Sequence, residues 1–187
     1  LAGVIAGTGD ALGDTFDSIE ILVGSRSGDA LYGSNGDNSI FGGNGYDRLY
    51  GRAGDDVLEG GLGGDVFYGN LGADKMTGDT TLQMDRFVYF TNLDSGAGAG
   101  NRDIITDFQH GVDRIELSRL DADLSQGFKQ AFNFIGDTAF SNTAGELRYE
   151  QIGTDTIVQA DFDGDALADF EIELTGTMVL DAGDFLI

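Results

Sequence analysis

Glycine stands at positions 24, 33, 42, 51, 60, 69 and 78, always nine residues apart. Five residues after each of the first six comes Asp29, Asn38, Asp47, Asp56, Asp65 or Asp74. Two residues further comes an apolar side chain: Leu31, Ile40, Leu49, Leu58, Phe67 or Met76. The fourth place of each unit is Ser27, Gly36, Gly45, Gly54, Gly63 or Gly72. Three registers held over six units are not a chance arrangement, and they set what the chain can fold into.

Glycine permits positive φ, so the backbone turns sharply with its carbonyls exposed. An aspartate closes the turn and offers a hard oxygen ligand. The apolar residue and its two neighbours form a minimal strand, with one side chain inward and two facing water. Two such units make a coil of eighteen residues, and alternate acids then stack on opposite sides. One column is Asp29, Asp47 and Asp65; the other is Asn38, Asp56 and Asp74. The seventh unit breaks step at Gln83, and Asp85-Arg86-Phe87 recovers the pattern if two residues are inserted after Gly78. Counting on by eighteen, Asp103 extends the first column; Asp94 extends the second. Calcium takes six to eight oxygens from carboxylates and carbonyls, more than one short turn supplies, so stacked turns are expected to share each ion. The columns hold about seven gaps between neighbours, which bounds the ions at about seven. Without cations the stacked acids would repel, so a metal-free stack with aspartates serving only as turn formers is the weaker reading.

The repeat resembles the G-G-x-G-x-D-x-U-x calcium-binding nonapeptide of RTX proteins. That resemblance implies an all-β fold: a right-handed parallel β-roll of nonapeptide repeats followed by a C-terminal antiparallel β-rich cap. Asp103-Ile104-Ile105-Thr106-Asp107-Phe108 with Gly111-Val112-Asp113-Arg114-Ile115-Glu116-Leu117-Ser118 resembles the segment after the roll in serralysin-type (peptidase M10) proteins. So do Phe134-Ile135-Gly136, Gly145 to Tyr149 and the ending Asp184-Phe185-Leu186-Ile187. In that family the repeat carboxylate and the carbonyls at places one, two and four of the turn ligate calcium. Carried onto this chain, the ligands are Ser25, Ser27, Asp29, Ser34, Gly36, Asn38, Gly42, Gly43, Gly45, Asp47, Gly51, Arg52, Gly54 and Asp56. They continue through Gly60, Gly61, Gly63, Asp65, Gly69, Asn70, Gly72, Asp74 and Asp85, with Asp94 and Asp103 holding the last ions. Ser25, Ser27, Ser34 and Asn38 depart from the family pattern in the first turns. In Arg52 and Arg26 an outward side chain is tolerable, because the backbone oxygen would ligate.

The acid excess has consequences for partners. Asp and Glu total 33 against 10 Lys and Arg, a formal charge of −23 in 187 residues. Nucleic acid and anionic membrane surfaces are unfavourable partners for such a chain, and cations are favourable ones. There is no cysteine, so neither disulfide nor thiolate chemistry is open. The 31 glycines without a single proline point to tight turns. No apolar run approaches the ~18 residues of a membrane helix, so no membrane insertion is expected. With no signal peptide and no initiator methionine, the chain reads as the end of a longer protein.

Three units are expected: a lead-in over residues 1–23, the roll over 24–85 and the cap over 86–187. The lead-in carries a strand at Ile19–Val23, preceded by Asp10, Asp14 and Asp17 among glycines, where a plain acidic loop is favoured over one more degenerate calcium turn. Further strands are expected at Phe87–Phe90, Ile104–Phe108, Arg114–Leu117, Phe132–Ile135, Glu146–Glu150, Thr156–Ala160 and Phe170–Leu174. A flexible loop is expected at Ser95–Gly100, and a short helical turn near Ser118–Asp123. A cap is needed because an open solenoid end exposes apolar layers and unpaired edges. The Asp161–Glu171 loop resembles an oxygen-rich calcium loop but lacks the EF-hand spacing, with Ala166 and Ile172 at its sixth and twelfth places; a solvated Asp-Gly turn is favoured over a calcium site.

His110, the only histidine, lies in a turn. There is no HExxH zinc motif and no G-x-S-x-G nucleophile elbow, so this chain is not expected to be an enzyme, and any catalytic domain would lie upstream. The reading is therefore a calcium-binding module that folds on calcium outside a bacterial cell. Its ending resembles the uncleaved signal read by a type I secretion transporter, which makes that transporter a partner and secretion the expected fate. The alternative is a polysaccharide-binding or adhesive module. Tyr32, Tyr50 and Tyr68, recurring every eighteen residues, keep that alternative open.

Overall fold

The structure is a computed structural model that describes residues 5–6, 20–79 and 81–187. Its strands in chain order are β1 (Ile5–Ala6), β2 (Ile21–Val23), β3 (Ala30–Tyr32), β4 (Ser39–Asn44), β5 (Arg48–Ala53), β6 (Val57–Leu62), β7 (Val66–Leu71) and β8 (Lys75–Thr77). Then come β9 (Arg86–Val88), β10 (Asp103–Ile105), β11 (Arg114–Glu116), β12 (Asn133–Phe134), β13 (Glu146–Ile152), β14 (Asp155–Asp161), β15 (Phe170–Leu174) and β16 (Phe185–Leu186).

Successive units fall alternately into two parallel sheets. Ile21 pairs with Ser39, Ser39 with Val57 and Val57 with Lys75, so β2, β4, β6 and β8 form one face. Ala30 pairs with Arg48 and Arg48 with Val66, so β3, β5 and β7 form the other. Each step is eighteen residues, two nonapeptides per coil. The apolar residue of every unit points between the sheets. Leu22, Leu31, Ile40, Leu49, Leu58, Phe67, Met76 and Phe87 make one continuous buried column. One inward side chain per unit fills the space because both walls are backbone at strand spacing.

The stacking starts before β2 and continues past residue 85. β1 pairs in parallel with β2, so a coil precedes the strand expected to open the roll. The acidic loop expected at Asp10, Asp14 and Asp17 lies outside the described residues. Beyond the roll, β9 pairs with β7 and β11 with β9, while β10 pairs with β8. Ile105 and Ile115 carry the apolar column onward at full burial. The sheets thus pass without a break from the repeats into the C-terminal half.

There the topology changes. β13, β14 and β15 form an antiparallel meander, and β15 joins β10 in parallel. The long sheet runs β1-β2-β4-β6-β8-β10-β15-β14-β13-β12, and the other runs β16-β11-β9-β7-β5-β3. The cap is therefore antiparallel in its centre and parallel at its joints. β12–β13 and β11–β16 are both parallel pairs. Aromatic side chains fill it: Phe132 against Phe162, Phe162 against Phe170, and Phe134 against Phe185 with centroids 5.0 Å apart. Phe170–Leu174 falls where the sequence places it, whereas the helical turn expected at 118–123 is a plain turn. Among the described residues the one helical element is a 3₁₀ turn at Ala182–Asp184.

Candidate metal centre

Each turn of the roll brings its aspartate under the backbone of the coil before it. The N–H of Asp29 donates to Asp47 Oδ1, Asp47 to Asp65, Asp65 to Asp85 and Asp85 to Asp113, at 2.7–3.0 Å. On the opposite side Asn38 donates to Asp56, Asp56 to Asp74 and Asp74 to Asp103, at 2.7–2.9 Å. These seven hydrogen bonds define two columns of stacked side chains running the length of the roll.

The column ends differ from the eighteen-residue count. Asp103 closes the second column, 29 residues after Asp74, and Asp113 closes the first, 28 residues after Asp85. Asp94 stands in neither column. It caps its own turn, taking the N–H groups of Phe90 and Thr91 and the Thr91 hydroxyl. The reason is the connection from β9 to β10, which is longer than one repeat and folds back on itself. Asp113 had a signal in the sequence: Asp113-Arg114-Ile115 has the same acid-x-apolar order as Asp85-Arg86-Phe87. Ser95 had none, nor had Tyr89, whose buried hydroxyl lies beside the Asp103 carboxyl. Ser95 Oγ accepts the Asp103 N–H, where a further aspartate would stand in the column, and donates to the Glu171 carbonyl.

The second oxygen of each interior carboxylate is the decisive feature. Asp47, Asp56, Asp65, Asp74 and Asp103 are buried, and the Oδ2 atom of each has no hydrogen-bond partner. Such an orphaned, buried anionic oxygen is costly unless something cationic meets it. Its surroundings are oxygen as well. A Cβ placed on Gly42 would lie 2.5 Å from both Asp47 Oδ2 and the Gly60 carbonyl oxygen of the next coil. One on Gly51 would meet Asp56 Oδ2 and, at 2.8 Å, the Gly69 carbonyl oxygen. The glycine at place one is required because a side chain would fill a cradle of carboxylate and carbonyl oxygens. Place two demands positive φ: Gly43 has φ 109° and Gly61 φ 89°, and Arg52 and Asn70 take φ 87° and 66° despite their side chains. Asn70 tolerates that region, but Arg52 is held there against its preference, which indicates that the turn geometry is imposed by the stack.

Electrostatics agree. Burial pushes the carboxyls of Asp56 and Asp65 up to about 6 and those of Asp74 and Asp85 to about 7. Asp113 rises to about 6, and Asp47 and Asp103 also rise, again chiefly through burial. A hard cation would lower all of them. The donor set, carboxylates plus carbonyls without nitrogen or sulfur, suits calcium.

The first turns are built differently. Asp29 Oδ2 accepts the N–H of Ser25, and Asn38 Oδ1 that of Ser34. The Ser25 hydroxyl reaches the Ser27 carbonyl, and that of Ser34 the Gly36 carbonyl. Internal hydrogen bonds there meet needs that stay unmet in the interior turns.

Other acids cluster outside the roll. Asp161, Asp163 and Asp169 bring carboxylate oxygens within 4.8 Å of one another at the β14–β15 turn. Asp161 accepts N–H bonds from Asp163, Gly164 and Ala166, and Asp169 one from Phe162, so these acids already shape the turn. At the C-terminus Asp184 is fully buried. It accepts from Gly111 N–H and lies 2.9 Å from His110 Nδ1, with Phe185 and Leu186 paired to Ile115 and Glu116. No described helix is long and apolar enough to cross a membrane.

The family model for the peptidase M10 serralysin C terminal matches residues 29–187. Among solved structures, the chain is similar to the AlgE6R3 subunit of the mannuronan C5-epimerase from Azotobacter vinelandii. That match has 28% identity and a TM-score of 0.32, and covers 87% of this chain and 80% of that one. It is also similar to the AlgE6R2 subunit of the same enzyme, at 26% identity and a TM-score of 0.44, covering 88% and 91%. No curated protein sequence matches the chain.

Proposed function

Because the chain belongs to the peptidase M10 serralysin C-terminal family, whose RTX-type repeats bind calcium in secreted proteins, we propose that its two aspartate columns bind calcium and that this binding folds the roll. The observation that carries the reading is the row of buried, unpartnered Oδ2 atoms at Asp47, Asp56, Asp65, Asp74 and Asp103. At Asp47 and Asp56 the carbonyl oxygens of Gly60 and Gly69 in the next coil line the same cradle. Interior ligands would be the carbonyls of Gly42, Gly43, Gly45, Gly51, Arg52, Gly54, Gly60, Gly61, Gly63, Gly69, Asn70 and Gly72 with the aspartates between them. Asp85, Asp103 and Asp113 would serve the last coils.

Seven stacked pairs set an upper count of about seven ions. A site working at ten times its Kd adds about 1.4 kcal/mol, so seven give roughly 10 kcal/mol. That equals the whole stability of an ordinary domain, about 5–15 kcal/mol. Extracellular calcium modules bind with Kd of about 10⁻⁴–10⁻³ M, so the same sites stay empty in cytosol and fill outside the cell. We propose accordingly that the chain is exported unfolded through a type I transporter that reads its C-terminal end, and that any catalysis belongs to residues upstream.

The test is a calcium titration followed by circular dichroism. A cooperative gain of β structure at millimolar calcium is expected, with magnesium a poor substitute because it demands a smaller octahedral cage. A fully formed roll in excess chelator, once residual metal is excluded, would overturn the reading. Export is tested separately. Deleting Asp184–Ile187 should abolish secretion from a cell carrying the cognate transporter while the purified chain still binds calcium, and normal secretion of the truncated chain would remove the signal assignment.

A further inference from the structure

The outer face of the β16-β11-β9-β7-β5-β3 sheet departs from the rest of the molecule in charge. Five of the ten Lys and Arg of this −23 chain gather there. Arg48, Arg86 and Arg114 stand in register on β5, β9 and β11, in a file with Ala30 and Val66. Arg52 lines the same groove as Tyr32, Tyr50 and Phe90, and Arg119 lies over the Phe90 ring at 5.1 Å. Two acids stand near them: Glu116, which pairs with Arg86 and Arg119, and Asp94, which lines the groove and whose carboxylate is taken up by the Phe90 and Thr91 N–H groups and the Thr91 hydroxyl. Arg48 leans on the Tyr46 ring, Arg114 on its own backbone carbonyls, and Arg52 has no hydrogen bond or ion pair among the described residues. Stacking the roll needs acids in the turns; it does not need cations on one face.

Beside the arginines runs an aromatic file. Tyr32, Tyr50, Tyr68 and Phe90 stack with centroids 4.5, 4.4 and 5.4 Å apart and planes within 5° of parallel. Their ring faces are spent on one another, so the file presents edges and phenol hydroxyls, and Tyr32, Tyr50 and Phe90 of it line a groove of about 620 Å³. A nucleic acid would want exposed ring faces on which to stack its bases, and these are hidden. A row of hydroxyls at strand spacing beside guanidinium groups suits a linear ligand with hydroxyls and widely spaced anionic groups.

We propose that this face binds a linear acidic polysaccharide, with Arg48 and Arg52 meeting its carboxylates or sulfates and the tyrosine hydroxyls its ring oxygens and hydroxyls. The proposal concerns the calcium-folded roll, so folding is verified first by circular dichroism at saturating calcium. Failure at that step belongs to the calcium reading; failure after it belongs to this one.

Isothermal titration at buffered free calcium uses a short oligogalacturonate, its neutral methyl ester and polyaspartate. Binding of the acid form alone is expected, weakening as salt rises. The double variant R48Q/R52Q should weaken it about tenfold, the sum of two exposed charge contacts. Tyr50→Phe, which keeps the stack and removes one hydroxyl, should weaken it severalfold and stands as the second variant if the double one misfolds. Equal binding of the methyl ester would overturn the charge argument. Polyaspartate binding as tightly as the uronate would replace the polysaccharide with an acidic peptide. No binding by the folded chain would overturn the proposal outright.

Discussion

The roll and the cap both bury carboxylates, and they treat them in opposite ways. In the roll, Asp56, Asp65 and Asp74 lose solvent, gain one backbone N–H each and leave Oδ2 unmatched, so burial drives their carboxyls up to about 6 or 7. In the cap, burial alone would raise Glu171 as well. Gln159, the Gly98 N–H and the Arg102 guanidinium at 2.8 Å overcome it and hold that carboxyl below its ordinary value. Arg102 also grips Glu173, tying the loop after β9 to β15. Asp161 and Asp184 are likewise saturated by N–H donors. Beyond Asp113, where the columns end, the cap answers its buried charge with its own side chains and backbone. The roll leaves its charge to be answered from outside, which makes one half of the molecule conditional on a cation and the other half far less so.

The strongest way to break this contrast is chelation followed by hydrogen exchange. Amides of β4 to β8 should lose protection in excess EDTA, with roughly 10 kcal/mol of site binding removed, while β13 and β14 keep a larger share of theirs. Equal loss in both halves would mean that the cap depends on the ions as fully as the roll does. Next in size is a core deletion. Phe162→Ala should cost the cap about 3–5 kcal/mol in urea at saturating calcium. The calcium midpoint of the roll should move much less, because Phe162 packs on Phe132 and Phe170 and not on the repeat column.

A smaller effect comes from a single acid of a column. Asp56→Ala should raise the calcium midpoint by about tenfold, equivalent to about 1.4 kcal/mol, whereas Asp123→Ala, which frees Ser125 and Gln126 in a cap turn and touches neither column, should leave it in place. Equal shifts would make bulk charge the operative quantity. The smallest effect is that of pH. Burial raises the column carboxyls, so protons favour the calcium-free fold. Their stabilisation is whole below the ordinary aspartate value of 3.8 and is lost as pH climbs through about 6–7. In chelator the roll should therefore hold more structure at pH 5 than at pH 8, and the calcium midpoint should rise severalfold as pH falls below 6. A midpoint independent of pH would separate the columns from the metal.

Much of this was legible in the residues themselves. A period of nine with glycine, acid and apolar residue in fixed places determines a coil of two units, because glycine at place one leaves room for the oxygen cradle of the turn and one inward side chain fills one layer. Asp47 stacks on Asp65, and Asp56 on Asp74, as their eighteen-residue spacing requires. The rule stops where the repeat stops. Asp94 and Asp103 look equivalent by counting. The long connection between β9 and β10 puts Asp103 in the second column and leaves Asp94 to cap its turn, while Asp113 arrives from further along to end the first column. Ser95 replaces an acid in hydrogen bonding to Asp103, and only its position against β15 reveals that. The arginines of β5, β9 and β11 are scattered over 67 positions of sequence and become one basic face only when the strands align. Local periodicity fixes what each unit does. Which units become neighbours beyond the last repeat is decided by loop length and side-chain packing, and those act only once the chain has closed on itself.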